Sequence, residues 1–200
     1  MKRIFTRIAL VPLMAAGLMT SCLLDPENKK GPGSDPTPTV YEDLTQKDHV
    51  LLNLDKAYNE MNIDEYKRLL VNEFTFFFSQ EDIDSNLVQN VSWGRLAEEE
   101  ATSNMFNRVP STKEGFVIDR IDLRLDYTPG DDVWIREVGS PGNHEGEDWY
   151  ERTVTYNMTI TAGDESFISV DIIASFVIKQ VDVNGAMIWK IVAWRDDIGP

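Results

Sequence analysis

The chain has 200 residues, with 19 Lys and Arg against 34 Asp and Glu, a net charge of -15 and one cysteine. A lone cysteine excludes an intramolecular disulfide framework and a cysteine-rich zinc site, and the acidity leaves no electrostatic footprint for a nucleic-acid backbone, so no nucleic-acid partner is expected. An apolar content of 42% with 10% aromatic residues is too rich for a disordered acidic chain and fits one folded domain.

The first 21 residues differ from all that follow. Lys2, Arg3 and Arg7 give a basic start, and Ile8 to Met19 is an uncharged apolar run, too short to span about 30 Å of hydrocarbon as a helix. It ends in Leu18-Met19-Thr20-Ser21-Cys22, which resembles the bacterial lipoprotein signal: an apolar residue, two small residues and the cysteine that takes a diacylglycerol thioether. Met19 stands where that family has Leu. The resemblance implies a signal peptide over residues 1–21, lipidation of Cys22 and attachment to a membrane through the acyl chains. Leu23 and Leu24 follow, with no aspartate directly after the cysteine; in a Gram-negative cell envelope, where lipoproteins are sorted by that residue, the resemblance implies the outer membrane. Cleavage there removes three basic groups and leaves 16 against 34, a charge of -18, so the lipid and not the protein face is the membrane-binding element.

Residues 22–43 form the lipidated end and a tether. The stretch from Asp25 to Tyr41 is rich in Pro, Gly and charge with little to bury, and reads as flexible. The domain is expected over 44–200. Thr45 and Asp48 have capping-box spacing, followed by Leu51, Leu54, Tyr58 and Met61 at helical intervals. Asn62 and Glu65 open a short second helix with Tyr66, Leu69 and Leu70. Glu73 to Phe78 is aromatic and predicts a buried strand. A third helix is predicted from Ser92, with Trp93, Ala97, Ala101 and Met105 on one stripe and Glu98, Glu99 and Glu100 on the solvent side.

The period then changes to two. Ile121, Leu123, Leu125 and Tyr127 alternate with charged residues, predicting a strand with one wet face; Val133 to Val138 predicts another. From Tyr150 to Ala162 one face carries Val154, Tyr156, Met158 and Ile160 and the other is Thr-rich. Across Gly163-Asp164, residues Ile168, Val170, Ile172, Ala174, Phe176 and Ile178 continue the apolar face. Asn184-Gly185 predicts a tight hairpin into Met187 to Trp194. Helices first and long strands afterwards define an α+β fold with helices on one face of a sheet.

Ala57 to Leu70, the aromatic strand Phe74 to Phe78 and the closing Ile188 to Asp196 resemble the nuclear-transport-factor-2-like superfamily, which includes ketosteroid isomerases, polyketide cyclases and bacterial lipoproteins. The resemblance covers most of residues 45–198 and rests on order and texture. It implies a cone, a curved antiparallel sheet wrapped around the N-terminal helices, with an apolar pocket at one end. Such a fold hosts unrelated functions.

Motifs for chemistry are sparse. Asp82, Asp84 and Asn86 have the opening spacing of a calcium loop, but Leu87 and Trp93 occupy its glycine and glutamate positions. His144-Glu145 lacks the second histidine of a zinc helix, and His49 is the only other histidine. No metal and no cofactor is expected; the acidic loop Asp131 to Asp148 reads as solvated. Asn90-Val91-Ser92 and Asn157-Met158-Thr159 match a glycosylation pattern that a bacterial chain would not use.

The superfamily's enzymes use a pocket carboxylate as proton shuttle. Asp171, in an apolar strand on the face of Ser169, Ile173 and Ser175, is the weak catalytic candidate here, with a solvent-facing position preferred. Tyr58, Tyr66, Trp93, Tyr156 and Trp194 are candidate pocket walls. Arg152, on the parity of Val154 and Tyr156, must be paired, with Asp196 for example, or meet an anionic ligand; Arg195 with Asp196 and Asp197 reads as a clamp. The expected function is a lipid-anchored module binding a small apolar ligand or a protein, with an isomerase or cyclase-type enzyme as the alternative. A structural module forming a homodimer through the outer sheet face is a third class, against which the Thr-rich face of 153–161 argues.

Overall fold

The computed structural model describes residues 39–85, 88–111, 115–129, 133–137 and 147–196. The signal segment, Cys22, the tether up to residue 38, Asn86, His144 and Asp197 lie outside the described residues. The domain is α+β, a curved open sheet with its helices at the chain start, in the order β2-β1-β7-β6-β5-β3, with β4 paired to β5.

Helix α1 (Lys47–Asn59) turns Val50, Leu51, Leu54, Ala57 and Tyr58 inward. Its N-cap is Gln46, without a side-chain cap. The expected Thr45–Asp48 box does not form, because Thr45 bonds to Asp43 and the Asp48 carboxylate accepts from the Trp134 indole at 2.8 Å and from Arg152 at 2.7 Å. A charge-assisted bond to guanidinium outweighs a neutral cap. Of the second box the cap half forms: the Asn62 side chain accepts from the Glu65 N–H at 3.2 Å, opening α2 (Ile63–Leu69), which buries Tyr66 and Leu69. The Asn62 N–H donates instead to Ala57 O, and the Glu65 carboxylate pairs with Arg68.

Strand β1 (Leu70–Phe77) begins earlier than its aromatic run and lies parallel to β7, the one parallel pairing in an otherwise antiparallel sheet among the described residues. A short α3 (Gln80–Asp84), capped by Ser79, follows. The third helix starts later than its pattern suggested. Ser92–Gly94 is a short strand β2, with Trp93 opposite Phe76 and its ring 4.8 Å from that of Phe78. Gly94 then caps α4 (Arg95–Phe106). With Trp93 held in a strand, the helix presents Glu98, Thr102, Met105 and Phe106 inward, and Glu98 is buried instead of solvent-facing.

The meander follows as β3 (Arg120–Asp126), β4 (Ile135–Glu137), β5 (Trp149–Ala162), β6 (Glu165–Val183) and β7 (Ala186–Asp196). The alternation in β3 holds, with Ile121, Leu123 and Leu125 buried. Its free edge is closed from α1: the Asn59 side chain donates to Leu123 O and accepts from Leu123 N, both at 2.8 Å, which removes a template for unwanted pairing. Asn184 (φ 56°) and Gly185 (φ 86°) make the two-residue turn of β6–β7, as a primed hairpin turn requires.

The continuous apolar face expected along β6 is broken by a bulge. Tyr156 pairs with Ile172 and Met158 with Ser169, so Asn157 alone faces both Val170 and Asp171. Asp171 takes φ 55°, and its N–H donates to the Asn157 side chain at 3.0 Å. The extra residue reverses the parity. Ile172, Ala174, Phe176 and Ile178 point inward as expected, but Ile168 and Val170 are 58% exposed and Ser169 turns in. Asp171 is exposed on the outer side, away from Ser169, which corrects its placement on that residue's face.

On the outer face of the central strands, long charged side chains cover buried Ser175 and Val177: Arg195 bonds Glu151 at 2.8 Å, and Lys179 bridges Glu73 and Glu147. Their aliphatic stems shield apolar backbone. Among the described residues no helix is long and apolar enough to cross a membrane. A β-branched residue at a left-handed position clashes with its own backbone. Asp171→Val should therefore destabilise the domain by about 1–2 kcal/mol, read as a lower urea midpoint, while Asp171→Gly should leave it equal or higher.

Candidate functional site

Between α4 and the concave face of the sheet lies a cavity of about 120 Å³. Its walls are Tyr58 from α1, Phe76 from β1, Trp93 from β2, Ala101 and Met105 from α4, Tyr156 and Met158 from β5 and Trp194 from β7, with Phe78 and Val88 from the connecting segments. Polar groups enter from Asp82, Glu98, Thr102, Ser169 and Asp196. The aromatic rings brace one another edge to face: Tyr58 stands 5.4 Å from Tyr66, 5.2 Å from Phe106 and 6.0 Å from Trp194. Such pairs add about 0.5–1.5 kcal/mol each beyond area burial, so the wall is preorganised.

Glu98 is the chemical centre of the cavity. Its Oε2 accepts from the Trp93 indole N–H at 2.8 Å, and its Oε1 accepts from the Thr102 hydroxyl at 2.9 Å and from the Tyr66 phenol. Burial pushes the Glu98 carboxyl above its ordinary value of 4.5, and the three donors oppose that rise without cancelling it. The burial of Tyr58, Tyr66 and Tyr156 raises their phenols too, so they remain hydrogen donors. Tyr156 donates to Asp196 Oδ1 at 2.9 Å. The Trp194 indole nitrogen is buried with no partner among the described residues. A carboxyl of raised affinity for a proton, held beside an apolar space, can exchange that proton with a bound molecule.

Four of the expected wall residues, Tyr58, Trp93, Tyr156 and Trp194, line this cavity. Tyr66 stands behind the wall and touches it through Glu98 and the Tyr58 ring. Arg152 does not line the cavity and does not meet Asp196. It is buried against Asp48, donates to Thr128 O at 3.4 Å and lies over the rings of Tyr127 and Trp134, at 4.9 and 5.9 Å. Asp196 instead serves Tyr156, and Arg195 clamps Glu151 across the sheet. Asp171 is exposed and lies outside the cavity.

Glu98 escaped the pattern because Glu98, Glu99 and Glu100 form one acidic run. The signal was present in its spacing: Glu98, Thr102 and Met105 stand at i, i+4 and i+7, one helical face.

No protein-family model and no curated protein matches the chain. Solved structures similar to it include a candidate dehydratase from the NTF2-like family of Streptomyces avermitilis, at 10% identity and a TM-score of 0.49, covering 76% of this chain and 93% of that one. An NTF2-like protein of unknown function in nutrient uptake from Rhodospirillum rubrum matches at 13% identity and 0.48, over 78% and 99%. A ketosteroid isomerase-like protein from Erwinia carotovora atroseptica matches at 11% identity and 0.47, over 78% and 97%.

The buried acid imposes a pH signature on stability. Below the ordinary glutamate range both folded and unfolded chains hold the Glu98 proton. As pH rises, the unfolded chain releases it first, so this group lowers stability until pH passes the raised folded value, after which its contribution levels off. Urea midpoints measured from pH 4 to pH 8 should show this decline in the native chain and a flatter profile in Glu98→Gln, whose amide can keep the network by donating to the Tyr66 and Thr102 hydroxyls.

Proposed function

We propose that the chain is a lipid-anchored protein of the bacterial cell envelope whose domain binds a small, largely apolar ligand in the cavity beside Glu98. The single observation that carries the binding reading is the cavity, walled by rings from five elements and holding a few convergent polar groups, the usual composition of a ligand site. Its volume of about 120 Å³ approaches that of an engineered cavity of about 150 Å³ that holds benzene. The anchor reading rests on Lys2, Arg3 and Arg7, the apolar run and Cys22, and the tether would set the domain off the membrane. The acidic domain would add no attraction of its own to an anionic leaflet.

Native mass spectrometry of protein purified from its own host should reveal a retained small molecule, absent from Ala101→Phe, which fills the cavity. Protein that carries no molecule in either form would count against the reading. Radiolabelled palmitate should enter the native chain, and Cys22→Ala should leave the membrane fraction; a variant that stays there unlabelled would remove the anchor.

A second reading, an isomerase or cyclase-type enzyme, is favoured by one observation, the raised proton affinity of Glu98 inside the cavity. Glu98 would take a proton from carbon and return it elsewhere on the same ligand, with Tyr156 placed as a hydrogen-bond donor. The retained molecule, incubated in deuterated water, should then gain deuterium with the native chain and not with Glu98→Gln.

A further inference from the structure

Two buried side-chain polar atoms have no hydrogen-bond partner among the described residues, the Tyr127 phenol oxygen and the Trp194 indole nitrogen. Tyr127 packs beside Arg152, its ring 4.9 Å from the guanidinium, and is not part of the cavity lining; Trp194 is. A buried N–H left unpaired is costly, and an indole can only donate.

The neighbours of this indole present rings rather than acceptor atoms. Trp194 stands on β7 opposite Phe76 of β1 and Phe176 of β6, and the rings of Phe176, Phe76 and Tyr58 lie 4.8, 5.6 and 6.0 Å from its own. A water molecule there would need two to four polar partners, which a surround of rings does not supply. An oxygen carried on a carbon body needs only the one donor, and the carbon meets the rings. That oxygen must also be neutral: the described lining holds Asp82, Glu98 and Asp196 and no Lys, Arg or His, so an anionic acceptor would be buried among acidic groups without a basic partner.

We propose that the cavity selects a small neutral molecule with one acceptor oxygen on an apolar body, the oxygen taking the Trp194 indole hydrogen and the body packing on Tyr58, Phe76, Met105 and Met158. This rests on the reading that the cavity binds a ligand, and names the class. Selectivity comes from the donor. A hydrocarbon of the same shape fills the space and leaves the N–H unmet, and a site built around a hydrogen bond rejects the analogue that lacks it.

The test uses tetrahydrofuran and cyclopentane, which differ by one ring oxygen; a five-membered ring suits a cavity of about 120 Å³. The protein is the chain from Cys22 onward, the form that the proposed cleavage leaves, at pH 7. Two sets of nuclear magnetic resonance signals separate occupancy from bonding. The methyl groups of Met105 and Met158, both in the lining, report a guest, and the Trp194 indole proton, assigned by its loss in Trp194→Phe, reports the hydrogen bond. Tetrahydrofuran should move the methyl signals and shift the indole proton downfield; cyclopentane should move the methyl signals alone. Trp194→Phe, which keeps a ring and removes the donor, should weaken tetrahydrofuran about fivefold to tenfold, the scale of one hydrogen bond, and change cyclopentane much less. Circular dichroism checks folding. Should that variant not fold, benzothienylalanine at position 194, with sulfur in place of the N–H, carries the same expectation.

If cyclopentane alone enters, if the indole proton stays still while tetrahydrofuran moves the methyl signals, or if removing the donor weakens both probes alike, the acceptor inference fails while the pocket reading stands. If neither probe moves the methyl signals, both fail. An indole shift that persists in folded Ala101→Phe, whose ring fills the cavity, would place the oxygen elsewhere and overturn the inference.

Discussion

The long antiparallel pair of β5 and β6 cannot curve around helices and keep strict alternation over its whole length, and the bulge at Asn157 relieves that conflict. One residue of β5 faces two of β6, the strand bends, and the inward parity shifts by one. Beyond the bulge, Ile172, Ala174, Phe176 and Ile178 carry the core; before it, Phe167 and Ser169 face inward while Ile168 and Val170 are left in solvent. Without the shift, the open end of the sheet would present Ile168 and Val170 to the cavity in place of Ser169. The irregularity thus sets both the curvature of the sheet and the chemistry of its mouth.

Glu98 is the counterpart on the helical side. Its three donors come from α2, β2 and α4 itself, so one carboxyl links the helix to the strand and to the neighbouring helix. A buried acid costs stability unless its oxygens are satisfied, and here they are satisfied by Trp93 and Thr102, which line the cavity, and by Tyr66 behind it. Structural and chemical roles are therefore coupled at this residue. Arg152 shows the opposite arrangement: its charge is absorbed by Asp48 and two aromatic rings well away from the cavity, and it joins β5 to the start of α1.

Much of the fold was legible because periodicity survives any packing. The strand of Ile121, Leu123 and Leu125, the turn at Asn184-Gly185 and the Asn62 cap each follow from local backbone chemistry. The failures share a physical cause. Trp93 has the spacing of a helical residue and lies in a strand because Phe76 pairs with it across 17 residues of chain. Asp48 has the spacing of a cap and serves Arg152, 104 residues away. Ile168 and Val170 have the parity of inward residues and are turned out by one inserted position.

The amino-acid sequence by itself determined the class of the domain, the order of helices before strands, and the residues that can be apolar on one face, because these depend on intervals of two and 3.6 residues. It also contains the candidate lipidation signal, which is a matter of linear spacing alone. Tertiary structure decided which carboxylate is buried, which strand registers slip and where the charges find partners. Those outcomes depend on contacts between residues far apart in the chain, where desolvation of Glu98 and the geometry of a bent sheet outweigh local preference.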